Sequence, residues 1–177
     1  RHGSRRADII IVTKCPVALT QQQRFNMLAE LDPYPRQRVY FSRYRYGTAY
    51  ELLRPDMRRD PDLDTHILLV SAIANTDYLL QHLGGVAGSV QTLEFEDHHY
   101  YEEPDLYEML RRFEAMPQRN KIILTTEKDA VRLELHEKFL FEHNLPVFVL
   151  PVEVVFCDND EADFQADVRR FLMDFKS

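Results

Sequence analysis

From His66 onward, apolar runs of five or six residues alternate with amphipathic stretches of helical period. That alternation limits the fold more than any other feature of the chain. Runs joined by two to five residues would read as hairpins, whereas runs joined by helix-length segments read as parallel strands with crossover helices. The fold class expected is therefore α/β, a parallel sheet flanked by helices. Strands are predicted at 66–71, 90–95, 121–125 and 146–155, and helices at 77–83, from Pro104-Asp105, from Glu127 and at 163–175. The helix after Pro104 places Leu106, Met109, Leu110 and Phe113 at i, i+3, i+4 and i+7, a single apolar stripe suited to a sheet. The pair Gly84-Gly85 should stop the helix before it.

The first third is organised less regularly. Residues 8–12 (DIIIV) read as a strand covered on both faces. Thr20 and Gln23 have the spacing of a capping box, so a helix over 21–31 should follow and bury Phe25, Leu28 and Leu31. Between Asp32 and Leu63 four prolines interrupt the pattern, and five tyrosines are interleaved with Arg36, Arg38, Arg43 and Arg45. Residues 39–41 and 44–50 are expected to be extended. The division expected is an appended remnant at 1–4, the end of a nucleotide-binding lobe at 5–33, an inter-lobe connection at 34–64 and a C-terminal α/β lobe at 65–177. Interleaved Arg and Tyr would suit single-stranded nucleic acid. The chain is acidic overall (net charge −7) and shows no RNP or helix-turn-helix signature, so no nucleic-acid partner is expected.

Charge is unevenly placed: residues 1–60 carry 12 basic and 6 acidic side chains, and the remainder 10 and 23. A phosphorylated ligand, an acidic lipid surface, the acidic remainder of the chain or solvent alone could face the basic third. The longest apolar stretches are far shorter than a bilayer span and no leader pattern opens the sequence, so neither a transmembrane nor a secreted chain is expected. Cys15 and Cys157 lack the spacing of a disulfide framework or zinc site and are expected as free thiols. The five glycines form neither GxxxxGK[ST] nor GxGxxG, so nucleotide chemistry is not expected to be complete within these 177 residues.

Ligands of open α/β sheets sit beyond the carboxyl ends of strands, which singles out four segments. Thr13-Lys14, after the first strand, matches the position at which a lysine stem packs along a purine in nucleotide-binding proteins. Pro16 stands where such sites carry a guanine-reading aspartate, favouring adenine if a base binds at all; a strand-end lysine reaching to solvent reads equally well. Ser71 to Thr76, containing Asn75, follows the second run. Asp97-His98-His99 follows the third: a carboxylate beside imidazole suits proton transfer, Glu94, Glu96, Glu102 and Glu103 nearby would suit a divalent cation, and a polar surface loop would look the same. The fourth is Thr125-Thr126-Glu127-Lys128-Asp129. Capping accounts for Thr126, Glu127 and Asp129 there, but Lys128 and Arg132 oppose the helix dipole and call for a phosphate or carboxylate partner. No serine sits on a glycine-flanked elbow, and neither cysteine has a neighbouring base.

Four segments in this order, ADIIIVTKCP, SAIANTDYLL, LEFEDHHYY and ILTTEKDAVRL, resemble the C-terminal half of the tetraacyldisaccharide 4'-kinases of lipid A synthesis. Ala72 stands where the family has glycine and Thr76 where it has proline. The resemblance implies a P-loop-kinase-like fold, seen here as an N-terminally truncated fragment. It implies transfer of the ATP γ-phosphoryl group to the 4'-hydroxyl of a tetraacyldisaccharide 1-phosphate, a step of lipopolysaccharide assembly. Mg²⁺ would assist, held mainly by an N-terminal half that also carries the P-loop. It further implies peripheral attachment at the cytoplasmic face of the bacterial inner membrane. His98 matches the family's motif histidine, which pairs with an N-terminal aspartate, and Asp97 would orient His98 or its loop. Thr13 and Lys14 would serve the nucleotide, whereas Asn75, Thr126, Glu127, Lys128, Asp129 and Arg132 match motifs without assigned roles. No metal ligand is expected among these residues, and this chain by itself is expected to be inactive. The alternatives are a DHH-type metal-dependent phosphoesterase, which needs a later glycine-rich segment absent after Gly88, and a non-catalytic binding module.

Overall fold

The computed structural model describes residues 4–174, so the outermost residues of the 1–4 segment and Phe175 of the final helix lie outside the described residues. The chain forms two compact units, one of residues 1–45 with 153–177, the other of residues 46–152.

The second unit is built on a sheet of order β4-β3-β8-β7-β5-β6. Its centre is β5 (His66–Ser71), paired in parallel with β6 (Ser89–Glu94) on one side and β7 (Lys121–Thr126) on the other; β8 (Val147–Leu150) extends β7 in parallel. These are the expected parallel strands. Residues of the presumed connection complete the sheet at one edge as β3 (Tyr50–Glu51) and β4 (Arg54–Arg58), both antiparallel, so the sheet is mixed. Every residue of β4 is exposed, and its Arg54, Pro55 and Arg58 are the residue types that keep an open edge from pairing with another chain.

Alternate residues of the parallel strands enter two separate cores. Leu68, Val70, Ile123, Val147 and Val149 pack with Leu106, Met109 and Phe113 of α3 (Glu103–Ala115), Ala130 and Leu133 of α4 (Glu127–Leu133) and Leu140 of α5 (Glu137–Glu142). Ile67, Leu69, Ile122, Leu124, Phe148 and Leu150 pack with Leu79 and Leu83 of α2 (Asp77–Leu83). Two apolar faces explain why these strands read as unbroken apolar runs. Gly88 lets the turn into β6 pass closely: a Cβ there would stand 2.3 Å from the Leu63 carbonyl oxygen.

The first unit holds a three-stranded sheet of order β1-β2-β9: β1 (Ile9–Val12), β2 (Arg38–Tyr46) and β9 (Val152–Phe156), with β1 parallel to β2. Helix α1 (Gln21–Leu31) begins at the expected capping box, with the Gln23 amide N–H donating to the Thr20 hydroxyl (3.2 Å) and the Thr20 N–H to the Gln23 side chain (2.9 Å). Helix α6 (Asp160–Asp174) turns Asp160, Phe164 and Asp167 toward β2. Asp160 accepts from the Phe41 N–H (2.8 Å), Phe164 meets the Tyr40 ring edge-on, and Asp167 accepts from the Tyr40 hydroxyl (2.5 Å).

Four expectations are corrected. The run 146–155 is two strands in two sheets, because Pro151 has no N–H for a ladder; its carbonyl instead accepts from the Gly47 N–H (3.0 Å). The C-terminal lobe therefore does not extend to 177: residues from Glu153 onward return to the first unit, which also takes residues 34–45 of the presumed connection. Strand β1 is not covered on both faces, with no fully buried residue and Ile11 exposed. Phe25 does not enter a core either; it is 67% exposed, while Leu28 and Leu31 are half-buried. Arg24 turns inward in its place, its guanidinium 4.4 Å from the Phe41 ring centre and bonded to Asp160 and Asp158.

Candidate active site

The parallel order β6-β5-β7-β8 reverses direction at β5. From β5 the chain moves outward to β6 through α2 on one face, then returns through α3 on the other face to β7. The carboxyl ends of β5 and β7 thus form a topological switch point, where helices on opposite faces leave a crevice for a ligand. Three of the four segments singled out from the sequence lie at the carboxyl ends of the parallel strands: Ala72 after β5, Asp97 to His99 after the neighbouring β6, and Thr126 at the junction of β7 with α4.

Thr126 caps α4, its hydroxyl accepting from the Asp129 N–H (3.2 Å) and donating to the Asp129 carboxylate (2.8 Å). Asp129 is fully buried and also accepts from the Ala72 N–H (3.1 Å) and from Arg132 (2.6 Å). A buried carboxylate needs several donors of this kind, one of them charged. Arg132 spends a second N–H on the carbonyl of His99 (2.9 Å). One buried ion pair therefore ties α4 to the end of β5 and to the loop after β6. That loop is fastened again by the His98 N–H to the Ala72 carbonyl (3.2 Å) and the Phe95 N–H to the Ser71 carbonyl (2.9 Å).

Held in this way, His98 takes a left-handed backbone conformation (φ 65°), uncommon for a residue with a side chain. Its imidazole is largely exposed. Lys128 reaches from α4 to the Asp97 carboxylate (2.8 Å) and to His98 Nε2 (3.4 Å), while Asp97 stands 3.6 Å from the same nitrogen. The Lys128 hydrogen bond holds the Asp97 carboxyl below its ordinary range. The opposing charge that the sequence demanded for Lys128 and Arg132 is thus a carboxylate in both cases, Asp97 and Asp129. Asp97 binds Lys128 more closely than it approaches His98.

His99 points elsewhere. It bonds Asp105 (2.8 Å), stacks on Phe95 (ring centres 4.7 Å apart) and meets Tyr101 edge-on. Burial raises the Asp105 pKa, but hydrogen bonds from the Glu102 N–H and His99 outweigh it and leave the carboxyl below its ordinary range. Burial, reinforced by the charge of Asp129, pushes the Tyr101 phenol up. His98 and His99 thus diverge to different partners. Among the described residues, no group of three or more His, Cys, Asp or Glu side chains is placed to hold a metal ion.

The remaining motif residues serve the edges of the site. Asn75 bonds the Asp77 carboxylate (2.9 Å) and accepts from the Asp77 N–H (3.2 Å) at the start of α2. Glu127 accepts from the Val152 N–H (3.0 Å). Thr13 and Lys14 follow β1 in the other unit; Thr13 is exposed, and Lys14 is half-buried at φ 61° beside Cys15, whose N–H donates to the Ser42 carbonyl (2.9 Å). Sequence reasoning missed Phe95 and Tyr101, which wall His99. No polar pattern marks them, although their place on either side of the DHH segment was visible.

The unit is thus a doubly wound α/β domain with an exposed imidazole, a lysine and a carboxylate gathered beyond the carboxyl ends of its parallel strands. Its family follows from comparison with known proteins. The model of the tetraacyldisaccharide-1-P 4'-kinase family, LpxK, matches residues 1–172, and the chain belongs to that family. The tetraacyldisaccharide 4'-kinase of Phocaeicola vulgatus is 32% identical over 176 residues, covering 97% of this chain and 48% of the relative. That of Bacteroides fragilis is 34% identical over 174 residues, covering 94% and 46%. The chain thus spans about half the length of these curated relatives. Among solved structures, the "apo" form of LpxK from Aquifex aeolicus in complex with ATP aligns with a TM-score of 0.45 at 17% identity, over 89% of this chain and 41% of that one.

Proposed function

We propose that this chain carries the acid/base part of a kinase that transfers the γ-phosphoryl group of ATP to the 4'-hydroxyl of a tetraacyldisaccharide 1-phosphate in lipid A synthesis. The observation that supports this most is the strained, exposed His98 at the switch point, facing a lysine and a carboxylate. Phosphoryl transfer depends on positioning and on neutralising charge, with a group near the acceptor to manage its proton. In this reading His98 assists removal of the hydroxyl proton, Lys128 supplies positive charge beside it, and the Asp129–Arg132 pair holds α4 against the loop of His98. The chain has no glycine spacing to cradle a triphosphate, so ATP would be bound mainly by residues outside this sequence, with Thr13 and Lys14 contributing to the nucleotide. Mg²⁺ would assist such a transfer; the described residues assemble no site for it, and no step assigned to this chain passes through it.

Acyl chains on the substrate would set the work at a membrane surface, and we infer peripheral attachment at the cytoplasmic face of the inner membrane. Of the exposed arginines of β4, Arg58, beside the Tyr50 ring, would meet phosphate headgroups, whereas Arg54 is already paired with Glu51 (2.7 Å) and Arg45 with Glu153 (2.5 Å). No helix among the described residues is long and apolar enough to cross a membrane.

The test is kinetic. In the protein at the full length of its relatives, His98→Ala should lower turnover by about 10²-fold or more with ATP and the acylated disaccharide phosphate. Unchanged turnover would remove His98 from the mechanism.

A further inference from the structure

Two neighbours make opposite demands on the same ring nitrogen of His98. Asp97 can only accept, so a carboxylate 3.6 Å from Nε2 favours a proton on that nitrogen. Lys128 has only N–H donors, so an ammonium 3.4 Å from Nε2 favours a lone pair there. The lysine stands closer to the ring, and it also occupies Asp97 with a 2.8 Å hydrogen bond, while the Asp97–His98 separation exceeds hydrogen-bond range. We propose that Lys128 is a positioning residue for His98, selecting the tautomer with the lone pair on Nε2 and the proton on Nδ1.

The scaffold on both sides suits this role. Lys128 sits on α4 between Thr126 and Asp129, which fix the start of that helix, and His98 sits on a loop tied to Ala72 and, through the next carbonyl, to Arg132. Neither side chain therefore needs a backbone rearrangement to keep the contact. A neutral imidazole prepared in one tautomer offers Nδ1–H to an acceptor and Nε2 to a proton, as a relay requires. The value of that preparation for phosphoryl transfer rests on the function proposed above, but the tautomer itself does not.

The ring nitrogens of His98 can be read directly by ¹⁵N NMR of the labelled 177-residue chain at about pH 8.5, above the ordinary imidazole range. His98→Gln identifies the resonances, and the His99 ring, bound to Asp105, reports that the loop is intact. Wild type should show Nδ1 protonated and Nε2 bare. In Lys128→Met, Asp97 is released and the proton should shift to Nε2; Lys128→Arg, which restores a cationic donor, should return the wild-type pattern. A proton on Nε2 in the wild-type chain would overturn the proposal by itself, and so would identical patterns in wild type and Lys128→Met. The expected tautomers together with full turnover of His98→Ala in the longer protein would sink the proposed function and leave the role of Lys128 standing.

Discussion

Two aspartates near the same histidine loop do different physical work. Asp97 is partly exposed, and its pair with Lys128 is worth little as stability, because water screens such contacts; what it fixes is geometry. Asp129 is wholly buried, and removing Arg132 would leave its charge without a counter-ion. A third carboxylate, Asp167, shows the same logic on a phenol. Burial, with the Asp167 hydrogen bond and charge adding to it, pushes the Tyr40 hydroxyl up to about 12. A folded-state pKa above the unfolded value of about 10 contributes stability that is fully present below that pH and fades as pH rises toward about 12. Tyr40 should therefore ionise late, as should Tyr101, in a titration followed by phenolate absorbance, and Tyr40→Phe identifies the Tyr40 step. In Asp167→Asn its midpoint should fall yet stay above the ordinary value, because burial is the larger cause. A return all the way to the ordinary value would show that Tyr40 is not buried as described.

The helices and strands differ in how plainly the residues announce them. Strand β5 and helices α1 and α2 follow the apolar period, the capping box at Thr20 and the stop at Gly84, which are local signals. What Pro151 does is not local: a ten-residue β-rich run looks continuous until its halves are seen to join different sheets, and pairing partners are set by tertiary packing. The facing of α1 was hidden for a similar reason. Its apolar residues suggested an inward Phe25, but an arginine that finds both an aromatic face and two carboxylates can occupy the inward position instead. Phe25→Ser should therefore change stability by less than about 0.5 kcal/mol, as for an ordinary surface site. Arg24→Ala should cost about 2 kcal/mol, since it strips Asp160 of a charged partner. Denaturant melts of the two variants check this, and a larger loss for Phe25→Ser would restore the apolar reading of α1. At the site, the Asp97-His98 and Thr126 to Asp129 segments were legible as polar residues following strands. Which carboxylate answers which cation was not, because it depends on the order of strands in the sheet.

Across the whole molecule the two units differ in how completely their strands are enclosed. In residues 46–152 every residue of β8 and nearly every residue of β5 is buried, with helices on both faces of the sheet. In the other unit β1 has no fully buried residue, α1 has none, and the fully buried apolar cluster consists of Cys15, Phe41 and Cys157. Burial of apolar area is the main favourable term in folding, so the two sheets should not open with equal difficulty. Native-state hydrogen exchange on the 177-residue chain should find the slowest amides in Ile67 to Val70, Ile122 to Leu124 and Val147 to Leu150, with those of Ile9 to Val12 exchanging much sooner. Amides of β1 as slow as those of β5 would mean that the units unfold as one cooperative block. The same hierarchy bears on function, because the His98, Lys128 and Asp129 network lies wholly within the better enclosed unit. Its geometry should therefore persist under conditions that already loosen the sheet carrying Thr13 and Lys14.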